Sequence, residues 1–356
     1  MAVSLQTYTN NQVFSCDIGD YTISGLTAST AYTITVSKLF PTTSVILTLK
    51  LVSDASGVIK IYNLQEVVEN LFRRTPYTDG QFKISIGDDN YTFKVFYASH
   101  KRFADIADYV GYNFALTKRY FTVPKNGYFQ ITLLSSGTPT FKATYLDLDT
   151  GEVTTSTHAL SSASLSHGNI SPSIISGILT AANIHHQLFS YSVFSGTHSV
   201  TVYVGHDQAT HRLLFRNNYN AWQCINLTAG TKRSVDKKKS EAICNGITSY
   251  YDVSDKYQVN LNAFIPHYLN EEVDELLQSL DVRLIPPTAT LNAAGLIPAD
   301  DCPKVLISSH TFDYSDEGGE AQTLELKLEF ADPMESQKAL INPDGIFAAT
   351  YDTTYS

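Results

Sequence analysis

The chain has 356 residues, 25 basic and 35 acidic side chains, a formal charge of −10, and 17% charged residues against 43% hydrophobic ones. An acidic chain without a Lys/Arg stripe lacks the phosphate-neutralising surface on which nucleic-acid affinity rests, so direct nucleic-acid binding is not expected. Nor is membrane insertion, because no run approaches the roughly 18 apolar residues of a span. Met1-Ala2-Val3-Ser4-Leu5-Gln6 lacks the basic-then-apolar pattern of a secretory leader, so folding in the cytoplasm is expected.

Aromatic residues reach 12%, and 22 of them are tyrosine. Tyrosine and the β-branched residues favour pleated, half-buried surfaces, so the expected class is mostly β. The length exceeds what one core usually serves, which points to two domains. A surface rich in Tyr, Ser, Thr and Asn but poor in charge suits packing against other protein. Cys16, Cys224, Cys244 and Cys302 form no CxxC pair, so free, mostly buried thiols are expected rather than a zinc knuckle or redox motif.

In chain order, Tyr32–Val36 and Val45–Leu51 alternate as strands, with Pro41 between them and a turn at Ser53–Gly57. Asn63 is placed to cap a helix with Leu64, Val67, Val68 and Leu71 on one face, Glu66 completing a capping box, and Arg73-Arg74 in the last turn before Pro76. Gln81–Ile86 and Tyr91–Tyr97 flank Gly87-Asp88-Asp89-Asn90, a hairpin signal. Asp105–Leu116 reads equally as helix or irregular chain. A third strand pair is expected over Gly127–Leu134 and Thr140–Leu148.

Residues 150–176 are rich in Ser and Thr, as in Thr154-Thr155-Ser156-Thr157, and read as a boundary, a long surface loop or an exposed strand pair. Beyond them, Val200–Val204 and Arg212–Phe215 flank a polar turn, and Val253–Phe264 reads as strand. Asn270 then caps a helix with Val273, Leu276, Leu277 and Leu280 in register, and Val282–Ile285 is strand-like. Lys304–Ser309 and Leu324–Phe330 make a closing hairpin across an acidic loop.

The chemistry-bearing candidates are few. His206 and His211 flank a turn, and His185-His186 are adjacent, but neither HExxH nor a helical His pair is present. The carboxylates of Asp313–Glu320 lack EF-hand spacing and read as a solvated loop. Lys232-Arg233 and Lys237-Lys238-Lys239, interrupted by Asp236, also read as a solvated loop. Ser176-Gly177 and Ser195-Gly196 lack a nucleophile elbow, and neither a phosphate loop nor a dinucleotide fingerprint occurs. No catalytic, cofactor-binding or metal-binding residue is assigned, no cofactor is expected, and an enzyme is not. Trp222 reads as the core anchor of a hairpin formed by Leu213–Phe215, an Asn-rich turn and the strand after it.

The ordered motifs carry a resemblance. They are the RLLFRNNYNAWQ turn at 212–223, the Lys/Ser stretch at 231–240, Tyr250-Tyr251-Asp252, the YLNEEVDELLQSLDVRL segment at 268–284 and the hairpin of 302–333. Together with SGVIKIYNLQEVVENLF and FKVFYASHKRFADIADYVGYNFALTKRY, this order resembles a recurrent module in structural proteins of tailed phages and prophages of Bacteroidetes bacteria, among tail or baseplate genes. Asn220 stands where glycine would be expected in the turn. The resemblance covers most of the chain except 150–200.

It implies a non-enzymatic virion subunit of tail, baseplate or tail tip, made in the bacterial host cytoplasm. The implied partners are copies of itself in a ring or other tail assembly, and other tail or baseplate proteins. The expected architecture is two β-rich, sandwich- or barrel-like domains, each with a short helix packed on the sheet. Residues 1–150 hold a helix near 64–74, residues 151–176 form a linker or surface arm, and residues 177–356 hold a helix near 271–280 and a C-terminal arm at 347–356. A second expectation is a carbohydrate- or host-surface-binding β module. It rests on exposed tyrosines, Trp222 and the Ile23–Val36 phrase, which resembles the late strands of a fibronectin type III domain.

Overall fold

The computed structural model describes residues 3–160, 165–244, 247–312 and 322–332. The chain is mostly β, as its composition requires, and divides into two compact units. Unit 1 is residues 1–117 together with 133–135 and 217–221, and unit 2 is the remainder. The boundary therefore falls near residue 117 rather than 150.

Unit 1 contains strands β1 (Ser4–Leu5), β2 (Gln12–Phe14), β3 (Tyr21–Ser24), β4 (Ala31–Phe40), β5 (Ser44–Val52) and β6 (Ile59–Ile61), helix α1 (Leu64–Arg73), strands β7 (Asp79–Ile86) and β8 (Asp89–Phe96), and helix α2 (Ile106–Tyr112). They form a five-stranded sheet, β2-β8-β7-β4-β5, and a three-stranded sheet, β1-β3-β6. Alternation puts Ile34, Val36, Phe82, Ile84, Phe93 and Val95 of the larger sheet into one core with Tyr21, Ile23, Ile59 and Ile61 of the smaller. Helix α1 adds Leu64, Val68 and Phe72, residues one turn apart on a single face. The β7–β8 connection is tighter than expected: Ile86 pairs with Asp89, leaving a two-residue turn that opens on Gly87 at φ 56°.

Two expectations for unit 1 need correction. Asn63 does precede α1, but it lies in the left-handed region at φ 59° and makes no side-chain cap, so no capping box forms with Glu66. The ambiguous Asp105–Leu116 segment is helical in its middle. Asp105 accepts the N–H of Ala107 at 2.9 Å as a true N-cap, and left-handed Asn113 ends α2.

Unit 1 is completed by the Asn-rich turn. Asn220 has φ 60°, a left-handed conformation that explains the expectation of glycine. Its amide nitrogen donates to the carbonyls of Phe72 at 3.0 Å, Thr75 at 2.7 Å and Tyr77 at 2.7 Å. These are carbonyls at and just beyond the end of α1, where the regular helical hydrogen bonding stops. Asn217 donates to Ala115 O and accepts from the N–H groups of Tyr219 and Ala221. The Tyr219 ring stacks on Tyr109 of α2 with centroids 4.5 Å apart.

Unit 2 begins with β9 (Tyr120–Pro124), β10 (Gln130–Gly137), β11 (Thr140–Asp147), β12 (Val153–Ala159) and β13 (Leu165–Asn169), of which β10 extends across the 133–135 segment of unit 1. Helix α3 (Pro172–Ala181) follows, then β14 (His186–Ser195), β15 (His198–Gly205), β16 (His211–Arg216), β17 (Trp222–Leu227), β18 (Ala229–Cys244) and β19 (Ile247–Ile265). The last elements are α4 (Asn270–Gln278), β20 (Val282–Leu284), β21 (Lys304–Phe312) and β22 (Gln322–Phe330). A five-stranded sheet runs β12-β11-β14-β15-β9, a seven-stranded sheet runs β17-β16-β20-β21-β22-β19-β18, and β10 pairs with β13. The seven-stranded sheet wraps a core of Leu213, Phe215, Leu261, Ile265, Leu324 and Leu328 around Val273 and Leu276 of α4.

The closing hairpin β21–β22 and the Trp222 hairpin β16–β17 form as expected. Other pairings differ. Gly127–Leu134 does not pair with Thr140–Leu148: β10 takes β13 as partner, and β11 lies between β12 and β14. Pro139 stands at the required turn and has no N–H to close it. The turn after β15 likewise leads into another sheet rather than closing a hairpin. Residues 151–176 are no linker but contain β12, β13 and the start of α3. Asn270 is not a cap either, because it is already helical and follows a 3-10 turn at His267–Leu269. Among the described residues each unit holds two α-helices rather than one. The acidic loop 313–320 and the arm 347–356 lie outside the described residues.

Replacing Asn220 tests the turn. N220A removes three hydrogen bonds and forces Ala into a left-handed conformation, and should destabilise unit 1 by roughly 3 kcal/mol in chemical denaturation. N220G keeps the backbone conformation and should lose less, about 2 kcal/mol.

Candidate assembly surfaces

A sheet built from alternating residues has two faces and two edges, and unit 2 exposes all of these kinds of surface. On the five-stranded sheet, Phe141, Ala143, Tyr191, Val193, Val200 and Val202 are buried, so the residues between them point the other way. Registers align Thr155, Thr144, Ser190, Tyr203 and Thr122 in one row across the sheet, and Thr157, Lys142, Ser192, Thr201 and Tyr120 in the next. Ser192 and Thr201 hydroxyls are hydrogen-bonded at 2.8 Å. Within these two rows Lys142 is the one charge, and Tyr120 and Tyr203 stand exposed. The Ser/Thr-rich stretch is thus one edge of a hydroxyl-bearing face.

The seven-stranded sheet carries an extension. β19 pairs with β22 only over Gln258–Ile265, whereas its pairing with β18 continues from Ala263 to Ile247. Past the sheet, residues 235–244 and 247–257 therefore form a two-stranded ribbon with no third strand among the described residues. At about 3.3 Å per residue this ribbon is roughly 30 Å long. The basic cluster Lys232-Arg233 and Lys237-Lys238-Lys239 lies within strand β18, not in a loop.

A cleft of about 740 Å³ opens beside this sheet, lined by Thr122, Pro124, Asp207, Phe264, Pro266 and Tyr268 among others. Phe264 is 70% exposed and Tyr268 46%. The Tyr268 wall is fixed from beneath. The Lys118 ammonium donates to the Tyr268 carbonyl at 2.7 Å, pairs with the Glu272 carboxylate on α4 and lies 5.0 Å from the Phe121 ring centre. Burial pushes the Glu272 pKa up to about 7, an effect that Lys118 only partly offsets.

The residues weighed in the sequence do not converge. His185 bonds to Asp149 at 3.0 Å on the surface, and His186 meets the Ser176 hydroxyl at 2.7 Å. His206 is exposed, and His211 bonds to the Thr231 hydroxyl at 2.8 Å. Among the described residues no group of His, Cys, Asp or Glu is placed to hold a metal ion. Trp222 is half-buried against Leu214, Cys224, Ile285 and Cys302. The guanidinium groups of Arg216 and Arg283 lie 5.6 and 5.4 Å from its ring centre. Both arginines bond Asp281, whose burial would raise its pKa but whose arginine partners hold it below the usual carboxylate range. Trp222 is therefore engaged within the protein rather than presented as a sugar-stacking platform. Burial pushes the Cys302 thiol up to about 12 and raises Cys224 also, so both are unreactive packing residues.

The sequence reading missed the hydroxyl face, the cleft and the Lys118–Glu272 pair. The face was visible as alternation in Thr155, Thr157, Thr144, Ser190 and Ser192. The pair joins residues 154 positions apart, a separation that no local pattern reports. No family model matches the chain, and no curated protein matches it.

The Glu272 pair has a pH signature. Its folded pKa lies above the ordinary 4.5, so the folded state holds the proton more tightly. That contribution is fully present below about pH 4.5 and is lost as pH rises to about 7. E272Q should remove this slope, worth roughly 3 kcal/mol across the window, in denaturation curves between pH 4.5 and 8.

Proposed function

We propose that this chain is a non-enzymatic structural subunit of a phage virion, in the tail, baseplate or tail tip, that works by protein–protein assembly. The observation that carries this reading is the β18–β19 ribbon, which runs past its sheet and pairs with no third strand among the described residues. An isolated two-stranded ribbon is marginal in water, and unpaired backbone groups along it bond to water or to another strand. A neighbouring subunit that adds a strand satisfies those groups and buries the ribbon. The hydroxyl-rich, nearly uncharged face of the five-stranded sheet supports the same reading, since it desolvates at less cost than a charged one. The ordered motifs that resemble tail and baseplate proteins set the biological context. In this reading the partners are copies of the chain itself and other tail or baseplate proteins, and the site of action is the virion after synthesis in the host cytoplasm. No helix among the described residues is long and apolar enough to cross a membrane.

A second reading, a host-surface glycan site, rests on the cleft, where exposed Phe264 and Tyr268 stand near Asp207. Sugar rings stack on such aromatic faces, and a carboxylate accepts from their hydroxyls. The two readings are compatible in a tail-tip protein.

Excising the ribbon tests assembly. Replacing residues 237–255 by Asn-Gly closes the hairpin at the Asp236–Lys256 pair with a favoured two-residue turn. In sedimentation velocity the full chain should form species larger than a dimer, and the shortened chain none. Equal assembly by both would remove the ribbon from the account.

A further inference from the structure

We infer that strand β5 is a self-pairing edge, through which two copies of the chain join their five-stranded sheets about a two-fold axis. The inference rests on the assembly reading and names its first contact. β5 closes one end of the order β2-β8-β7-β4-β5, so one row of its backbone N–H and C=O groups has no strand partner among the described residues over nine residues. Natural edges are usually guarded by charges, proline, bulges or short length. Here Ser44–Val52 holds one charge, Lys50, no proline, and a register shift only at its beginning, between Leu47 and Val45.

The packing along β5 is incomplete in a telling way. Leu47, Leu49 and Leu51 stand beside Val36, Ile34 and Tyr32 on the core face. Ile34 and Val36 are 0% and 1% exposed. The three leucines pack on the same core but stay only half-buried, because the sheet stops at their strand. A further strand bearing its own apolar row on that face would cover them.

A second β5 is such a strand, and its sequence fits itself. The regular stretch Leu47–Leu51 is centred on Leu49. Antiparallel pairing about that residue sets Leu49 opposite Leu49 of the other copy and Leu47 opposite its Leu51, all on the core face. On the outer face it sets Thr48 opposite Lys50 twice, so no lysine meets a lysine. Two other edge strands lack this pattern: β12 is Val-Thr-Thr-Ser-Thr-His-Ala, and β18 carries the lysine cluster. An edge that is apolar on one face and self-complementary on both favours an isologous contact.

Thr48 points outward and is exposed, so its substitution leaves the core intact. T48K places like charges opposite each other at two symmetric positions, and T48E places opposite charges there. Sedimentation velocity of the full chain over a concentration series, with melting curves as a folding control, reads the result. T48K should weaken the dimer step about tenfold and T48E should tighten it severalfold, with the difference fading near 1 M salt. Assemblies of wild type that neither substitution alters would overturn the β5 contact and leave the assembly reading standing. A dimer that responds to both substitutions without any larger species would support β5 and count against the ribbon-driven assembly. A single chain at every concentration would overturn both.

Discussion

Every open sheet leaves a row of backbone N–H and C=O groups at each of its edges, and those groups must bond to water or to another strand. That constraint shapes this protein more than any single side chain. The seven-stranded sheet ends in β18 beyond β19, and the two five-stranded sheets end in β12 beyond β11 and in β5 beyond β4. The three edges are treated differently. The sequence of β12 is rich in hydroxyl residues, that of β18 in lysines, and that of β5 in aliphatic residues around one lysine. At the apolar β5 edge a second strand satisfies those groups better than water does, because the same contact removes leucine surface from water.

Buried polar groups obey the same rule from the inside. Asn220 spends its amide on three carbonyls at and just beyond the end of α1. Asp281 is surrounded by Arg216, Arg283 and Lys304, so its charge is held by partners rather than solvent. Glu272 pairs with Lys118 alone among the described cations, and burial outweighs that pair and raises its proton affinity. These groups fix the local geometry of turns and walls. The surfaces offered to a partner carry hydroxyls, aromatic rings and open backbone instead.

Much of the fold was legible from the chain because alternation and helical spacing are local. The strands Tyr32–Val36, Val45–Leu51 and Leu324–Phe330, and both helices marked by apolar periodicity, stand where the pattern puts them, except that α4 ends at Gln278 and leaves Leu280 outside it and exposed. Local signals failed where a residue has two physical uses. Asn63 and Asn270 read as caps, yet Asn63 takes a left-handed backbone and Asn270 is already helical. The Ser/Thr stretch read as a linker because a strand with one hydroxyl face and a strand-free polar loop share a composition. Pairing was the least legible feature. β10 finds β13 some thirty residues on, past its neighbour β11, and periodicity carries no information on which strand is the partner. The cleft and the β5 edge were hidden for a related reason, since exposure depends on where a sheet stops.

Negative-stain electron microscopy of the purified full chain at high concentration tests the central claim most directly. The account predicts rings, stacked tubes or another closed, repeating assembly, with a symmetry that the images give. Uniform single-chain particles at every concentration, with or without candidate tail proteins added, would contradict it.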